Sequence, residues 1–116
     1  MHEAAIAQNL IEQVDRYMLD HKIQSKVKKI FLRIGKFSTV VPQSLSFCFE
    51  VLSADTSLRG VSLEIEEIPI RCKCKNCGEI FDIDEPDFIC VKCAHVDLEI
   101  MRGRELEIDS LEVENE

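Results

Sequence analysis

The sequence predicts an α+β fold: two helices on a small three-stranded sheet, with a cysteine-rich lobe inserted before the last strand. Three observations predict it. Two segments repeat apolar residues at helical spacing, others alternate apolar and polar residues as strands do, and two cysteine pairs interrupt the series ahead of the last alternating stretch.

Residues 3 to 20 read as an amphipathic helix, because Ile6, Leu10, Val14 and Tyr17/Met18 recur at steps of three and four and line one stripe. Glu3 stands in the first turn, where the helix dipole favours a carboxylate. The polar stretch Asp20–Lys26 ends this helix, and His21 near its end favours the helix C-terminus when charged. Val27–Gly35 is a strand, with Ile30, Leu32 and Ile34 on one face and Lys29, Phe31 and Arg33 on the other. Pro42 suits the first position of a second helix. Leu45, Cys48, Phe49 and Leu52 form its apolar face, so Cys48 is expected to be a core thiol.

Ser53–Gly60 is a polar connection closed by glycine. Val61, Leu63 and Ile65 then alternate with Ser62, Glu64 and Glu66 as a strand with an acidic outer face. The phase shifts at Glu66-Glu67, where Ile68 and Ile70 take over through a bulge. After the cysteine-rich stretch come Leu98–Met101, a turn near Gly103, and a returning strand through Leu106, Ile108, Leu111 and Val113. The acidic tail Glu112–Glu116 is expected to fray. The predicted boundaries are residues 1–70 plus 97–116 for the α+β domain and 71–96 for the inserted lobe.

Within that lobe Cys74, Cys77, Cys90 and Cys93 make two Cys-X-X-Cys knuckles with twelve residues between them. A two-residue gap lets one tight turn aim two thiolates at a single tetrahedral ion, and two such turns complete a four-sulfur zinc site. A shell so filled leaves no position for water or substrate, so the zinc is structural. Four ordinary buried thiols or two disulfides are the other readings of the same residues. Cys72 offers only a one-residue gap to Cys74, and alternating positions on a strand point apart, so it reads as a strand residue entering the lobe. Gly78, just past the first knuckle, can take the positive φ that such a turn requires.

At 116 residues the chain has the size of one domain, and 46% apolar residues suffice for a core outside the lobe. The net charge of −8 argues against nucleic acid, whose backbone is bound by Lys and Arg. Between the knuckles lie Glu79, Asp82, Asp84, Glu85 and Asp87, with no basic residue. No run of about 18 apolar residues supports membrane insertion. The first residues lack the basic and apolar blocks of a signal peptide, and reduced cysteines at metal spacing point to the cytoplasm.

The first three residues, Met1-His2-Glu3, carry a second metal motif. An imidazole at position two can close a chelate with the terminal amine and the intervening amide, nitrogens in one plane as divalent nickel or copper prefers. The bulk of His2 also favours retention of the initiator Met. The fourth ligand is the Glu3 amide, the Glu3 carboxylate or another group. Such a site releases its metal on acidification, because amine, imidazole and amide must all lose protons to bind. An ion held at a chain end is open to a partner, which suits transfer.

Met1-His2-Glu3 opening a helix, the strand end Arg33-Ile34-Gly35, the helix Ser44-Leu45-Ser46-Phe47-Cys48-Phe49 and the pairs Cys74/Cys77 and Cys90/Cys93 together resemble the HypA/HybF family over essentially the whole chain. The resemblance implies a nickel metallochaperone for [NiFe]-hydrogenase maturation, and in some bacteria for urease. It implies a nickel domain of two helices on a three-stranded sheet with a zinc ribbon inserted before the last strand. Nickel, the transferred cargo, is then held by Met1, His2 and Glu3, and zinc by Cys74, Cys77, Cys90 and Cys93. The implied partners are a nickel-handling GTPase, the hydrogenase large subunit and, for urease, its maturation proteins. The chain has no phosphate-binding glycine loop, so nucleotide hydrolysis falls to the GTPase. Some relatives place a histidine after each knuckle; here Glu79 follows the first and Ala94 separates Cys93 from His95, so no ligand switch through such histidines is expected, and His95 reads as an outer or surface residue. The alternative function is a zinc-ribbon adaptor that docks on other proteins without transferring nickel. An enzyme is not expected, because no nucleophile–base pair is evident.

Overall fold

The computed structural model describes residues 2–84 and 87–114. Met1 of the nickel motif, Glu85 of the acidic inter-knuckle loop, Pro86, and Asn115 and Glu116 of the tail lie outside the described residues. The elements run α1 (Glu3–Asp20), β1 (Val27–Gly35), a short 3-10 turn (Lys36–Ser38), α2 (Pro42–Ser53), β2 (Ser62–Ile68), β3 (Ile70–Cys74), β4 (Ile80–Ile83), β5 (Leu98–Arg102) and β6 (Leu106–Val113). They form the α+β fold that the periodicities predict, in two three-stranded sheets ordered β2-β1-β6 and β4-β3-β5.

By its contacts the chain divides into two compact units. The first comprises Met1–Leu32, Val40–Ile65 and Ile108–Glu116. Here α1 packs on α2. Ile6, Ala7, Leu10, Ile11 and Val14 of α1 are buried with Leu45 and Phe49 of α2 and with Val27, Ile30 and Leu32 of β1. The predicted apolar face of α2 needs correction. Cys48 is only half-buried and Leu52 is 37% exposed, while Ser53 is 1% exposed. The Ser53 hydroxyl makes that burial tolerable by donating to the Glu50 carbonyl at 3.4 Å. The connection after α2 is not wholly polar either: Leu58 is 2% exposed and belongs to the core. The tail also departs from expectation. β6 continues to Val113, and the Glu114 amide donates to the Lys26 carbonyl at 2.8 Å.

The second unit comprises Arg33–Thr39 and Glu66–Glu107. Ile34, Ile68, Ile70 and Cys72 form its apolar centre. Strand β3 lies between β4 and β5 and is antiparallel to both; Cys72 faces Phe81 on one side and Ile100 on the other. Arg71 forks onto Asp82, its cross-strand partner, at 2.8 and 3.3 Å. That pairing holds the Asp82 carboxyl below its usual range and raises the guanidinium.

Candidate metal centres

The cysteine-rich lobe is built from two copies of one turn. In the first, the Gly78 amide donates to the Cys74 carbonyl at 2.9 Å and the Cys74 amide to the Glu79 carbonyl at 2.9 Å. In the second, the Ala94 amide donates to the Cys90 carbonyl at 3.0 Å and the Cys90 amide to the His95 carbonyl at 2.8 Å. Each turn closes through a residue in the left-handed region, Gly78 at φ 80° and Ala94 at φ 63°. The sequence singles out Gly78 for this conformation. Laying Cys74–Glu79 over Cys90–His95 also aligns Gly78 with Ala94, a signal that finds the second position.

The four predicted sulfurs meet, all within 4.8 Å of one another. Cys74 Sγ and Cys93 Sγ are 3.6 Å apart, as are those of Cys77 and Cys90. These separations exceed the roughly 2.05 Å of a disulfide, and all six cysteines are free. A tetrahedral zinc with bonds of about 2.3 Å puts its sulfurs about 3.8 Å apart, so the donor set fits the ion in both number and size. Cys72 does not join this group; it is fully buried in β3, and burial pushes its thiol up. The leading cysteine of each knuckle, Cys74 or Cys90, is buried, whereas Cys77 is exposed and Cys93 half-buried.

Protons are unevenly shared among the sulfurs. The His95 amide and the Asn76 side chain stabilise the Cys93 thiolate and hold its pKa down at about 6. At Cys77 the Glu79 amide pulls downward, but desolvation and the neighbouring sulfurs prevail and push it up to about 12. Burial raises Cys90, yet the Cys93 and Lys92 amides outweigh it and the net direction is down. Those amides lie 3.5 and 3.4 Å from Cys90 Sγ. A metal entering the cluster therefore displaces protons, that of Cys77 among them.

Asn76 was not marked by the sequence. Its side-chain nitrogen is 3.6 Å from Cys93 Sγ and 3.3 Å from His95 Nδ1. The two amide hydrogens can serve both acceptors in the His95 tautomer that leaves Nδ1 free to accept. His95 is exposed and touches the cluster through Asn76, as an outer residue. Only the folded lobe brings position 76 to positions 93 and 95, so no local pattern announces the link.

At the other motif, His2 is the N-cap of α1, with extended φ −81° and ψ 132°. Its carbonyl accepts from the Ile6 amide at 3.2 Å, while its exposed ring makes no capping bond. Glu3 opens the helix and is half-buried. His21, by contrast, stacks on Tyr17 at 4.0 Å and lies 2.9 Å from the Tyr17 carbonyl through Nδ1.

Comparison with known proteins gives consistent results. Residues 1–113 match the family model for hydrogenase/urease nickel incorporation, metallochaperone HypA. The chain is 41% identical over 113 residues to the hydrogenase maturation factor HypA of Desulfosudis oleivorans, covering 97% of this chain and 98% of that protein. It is 43% identical over 114 residues to the corresponding factor of a Nostoc species, covering 98% and 96%. In fold it is similar to the solution structure of the nickel metallochaperone HypA from Helicobacter pylori, with a TM-score of 0.66, 24% identity and full coverage of both chains. A second HypA solution structure has a TM-score of 0.71 at 24% identity, covering 100% of this chain and 98% of the other.

Proposed function

The chain belongs to the HypA family of hydrogenase/urease nickel-incorporation metallochaperones, and from that premise we propose that it carries Ni(II) at the start of α1 and delivers it during maturation of [NiFe]-hydrogenase. Met1 provides the amine, His2 the amide and imidazole, and Glu3 the remaining donor. The observation that carries this reading is the state of His2, which caps the helix with its backbone while its exposed ring makes no capping bond. A deprotonated amide and the Glu3 carboxylate bring negative charge to a helix N-terminus, where the dipole favours it.

Cys74, Cys77, Cys90 and Cys93 hold a structural zinc, whose contribution is to tie two turns into one lobe. Nickel handling resides in residues 1–70 plus 97–116 and zinc in 71–96. The protein acts as a carrier rather than a catalyst, in the cytoplasm. A GTPase that handles nickel supplies hydrolysis, and the hydrogenase large subunit receives the metal; urease maturation proteins are recipients by the same chemistry. The test is nickel titration of protein starting at Met1 without a tag, beside His2→Ala. Wild type should show the absorption of a planar nitrogen shell and the variant should lose it; equal uptake by both overturns the assignment. Nickel-independent docking on maturation proteins, with zinc alone bound, would favour an adaptor.

A further inference from the structure

Strand β6 is an outer strand of the sheet β2-β1-β6, so one rim of its backbone is paired by no strand among the described residues. Beside it runs a groove of about 570 Å³. Val14, Tyr17 and Met18 of α1 line it with Ile23, and Ile108, Leu111 and Val113 of β6 line its other side, where Asp109 adds a carboxylate and Gln13 and Ser110 add polar groups. Tyr17 is 46% exposed there. A bare sheet edge next to a helix-walled apolar groove can recognise an extended chain: backbone hydrogen bonds join it to the edge, and every second side chain enters the groove.

The occupant is narrowed by charge. Asp109 and Glu112 stand exposed on β6, and neither forms an ion pair among the described residues, unlike Glu107, which Arg33 holds at 3.3 Å. The whole chain carries −8. A second copy pairing edge to edge would set these carboxylates against one another, and like charges across a strand pair are unfavourable. We propose that the β6 edge and the α1 groove dock an extended protein segment with alternating apolar and basic side chains, which joins the sheet as a fourth strand. Acids on a bare edge can also serve only to prevent aggregation; the apolar groove beside this edge is what that role leaves unexplained. The inference stands on the sheet order and does not depend on nickel.

The test titrates the full-length, zinc-loaded, isotope-labelled protein with a blocked octapeptide alternating valine and lysine, and with its valine/glutamate counterpart, while amide shifts are followed. Shifts should centre on β6 and on Tyr17 and Met18, the acidic peptide should bind at least about tenfold more weakly, and Asp109→Lys with Glu112→Lys should reverse the preference. Met18→Glu should lose the basic peptide while keeping the wild-type circular dichroism. Equal binding of both peptides, shifts away from β6, or a preference unchanged by the double reversal would each overturn the proposal. Sedimentation that shows self-association through β6 would do so as well, since it identifies a second copy as the occupant.

Discussion

Gly35 and Gly103 meet backbone to backbone. A Cβ added to Gly35 would overlap the Gly103 carbonyl, and one added to Gly103 would lie 2.8 Å from the Ile70 Cα. The Phe37 amide donates to that same carbonyl at 2.9 Å, and the Gly35 amide donates to the Glu105 carbonyl at 2.7 Å. The neighbour at Gly35 is backbone and cannot swing aside as a side chain would. Gly35→Ala should therefore cost roughly 1–3 kcal/mol, read as a lower denaturation midpoint in zinc-loaded protein. A midpoint within error of wild type would show that the contact yields freely.

The two knuckle turns make opposite predictions for opposite substitutions. Nothing lies within 4 Å of a Cβ built on Gly78, so Gly78→Ala meets only the cost of the left-handed backbone, about 1 kcal/mol. Ala94 already bears that cost at φ 63°, so Ala94→Gly should stabilise the lobe by up to about 0.5–1 kcal/mol once the greater freedom of unfolded glycine is deducted. Thermal melts of the zinc-bound variants would reveal the signs; a shared sign contradicts the account.

Asn76 links His95 to Cys93 and should slow departure of the ion. Loss of such an outer hydrogen bond commonly weakens metal binding by about 10–100-fold, so Asn76→Ala should release zinc to a colorimetric chelator about tenfold faster. The ring nitrogen spectrum of His95 should change with it, as Nδ1 loses its donor. A structural effect alone would leave that spectrum unmoved.

Glu105 provides the pH prediction. Desolvation raises its carboxyl, but the amides of Glu105 and Gly103 and the charges of Arg102 and Arg33 outweigh it, so the net direction is down. The Gly103 amide donates to Glu105 Oε1 at 2.8 Å. A carboxyl lowered by folding adds stability above its unfolded value, near about 4.3, and that contribution disappears as pH falls through the lower folded value. Wild type should thus lose melting temperature below about pH 4.5. Glu105→Gln should start lower at neutral pH and lose less on acidification; parallel profiles would refute it.

Legibility followed locality. The bounds of α1 and β1, and Pro42 as the first residue of α2, match the sequence reading because periodicity and the fixed φ of proline act within a few residues. The ribbon's own sheet was not legible. Ile80–Ile83 alternates weakly, with Ile80 52% exposed, and becomes a strand only through its distant register, Ile70 against Ile83. The inward face of α2 was misread for a related reason. Ser53 is buried while Cys48 and Leu52 lie nearer the surface, an orientation hydropathy does not express. The four sulfurs were readable because Cys-X-X-Cys encodes its own turn. Asn76 was not, since its role exists only once the two turns face each other.

The inner and outer sulfurs differ in a way that sets how the lobe fails under oxidant stress. Cys74 and Cys90 are buried, whereas Cys77 is exposed and Cys93 half-buried. Peroxide or a competing chelator meets the outer thiolates first, so damage proceeds as a peeling from one side, with the inner pair the last to let go.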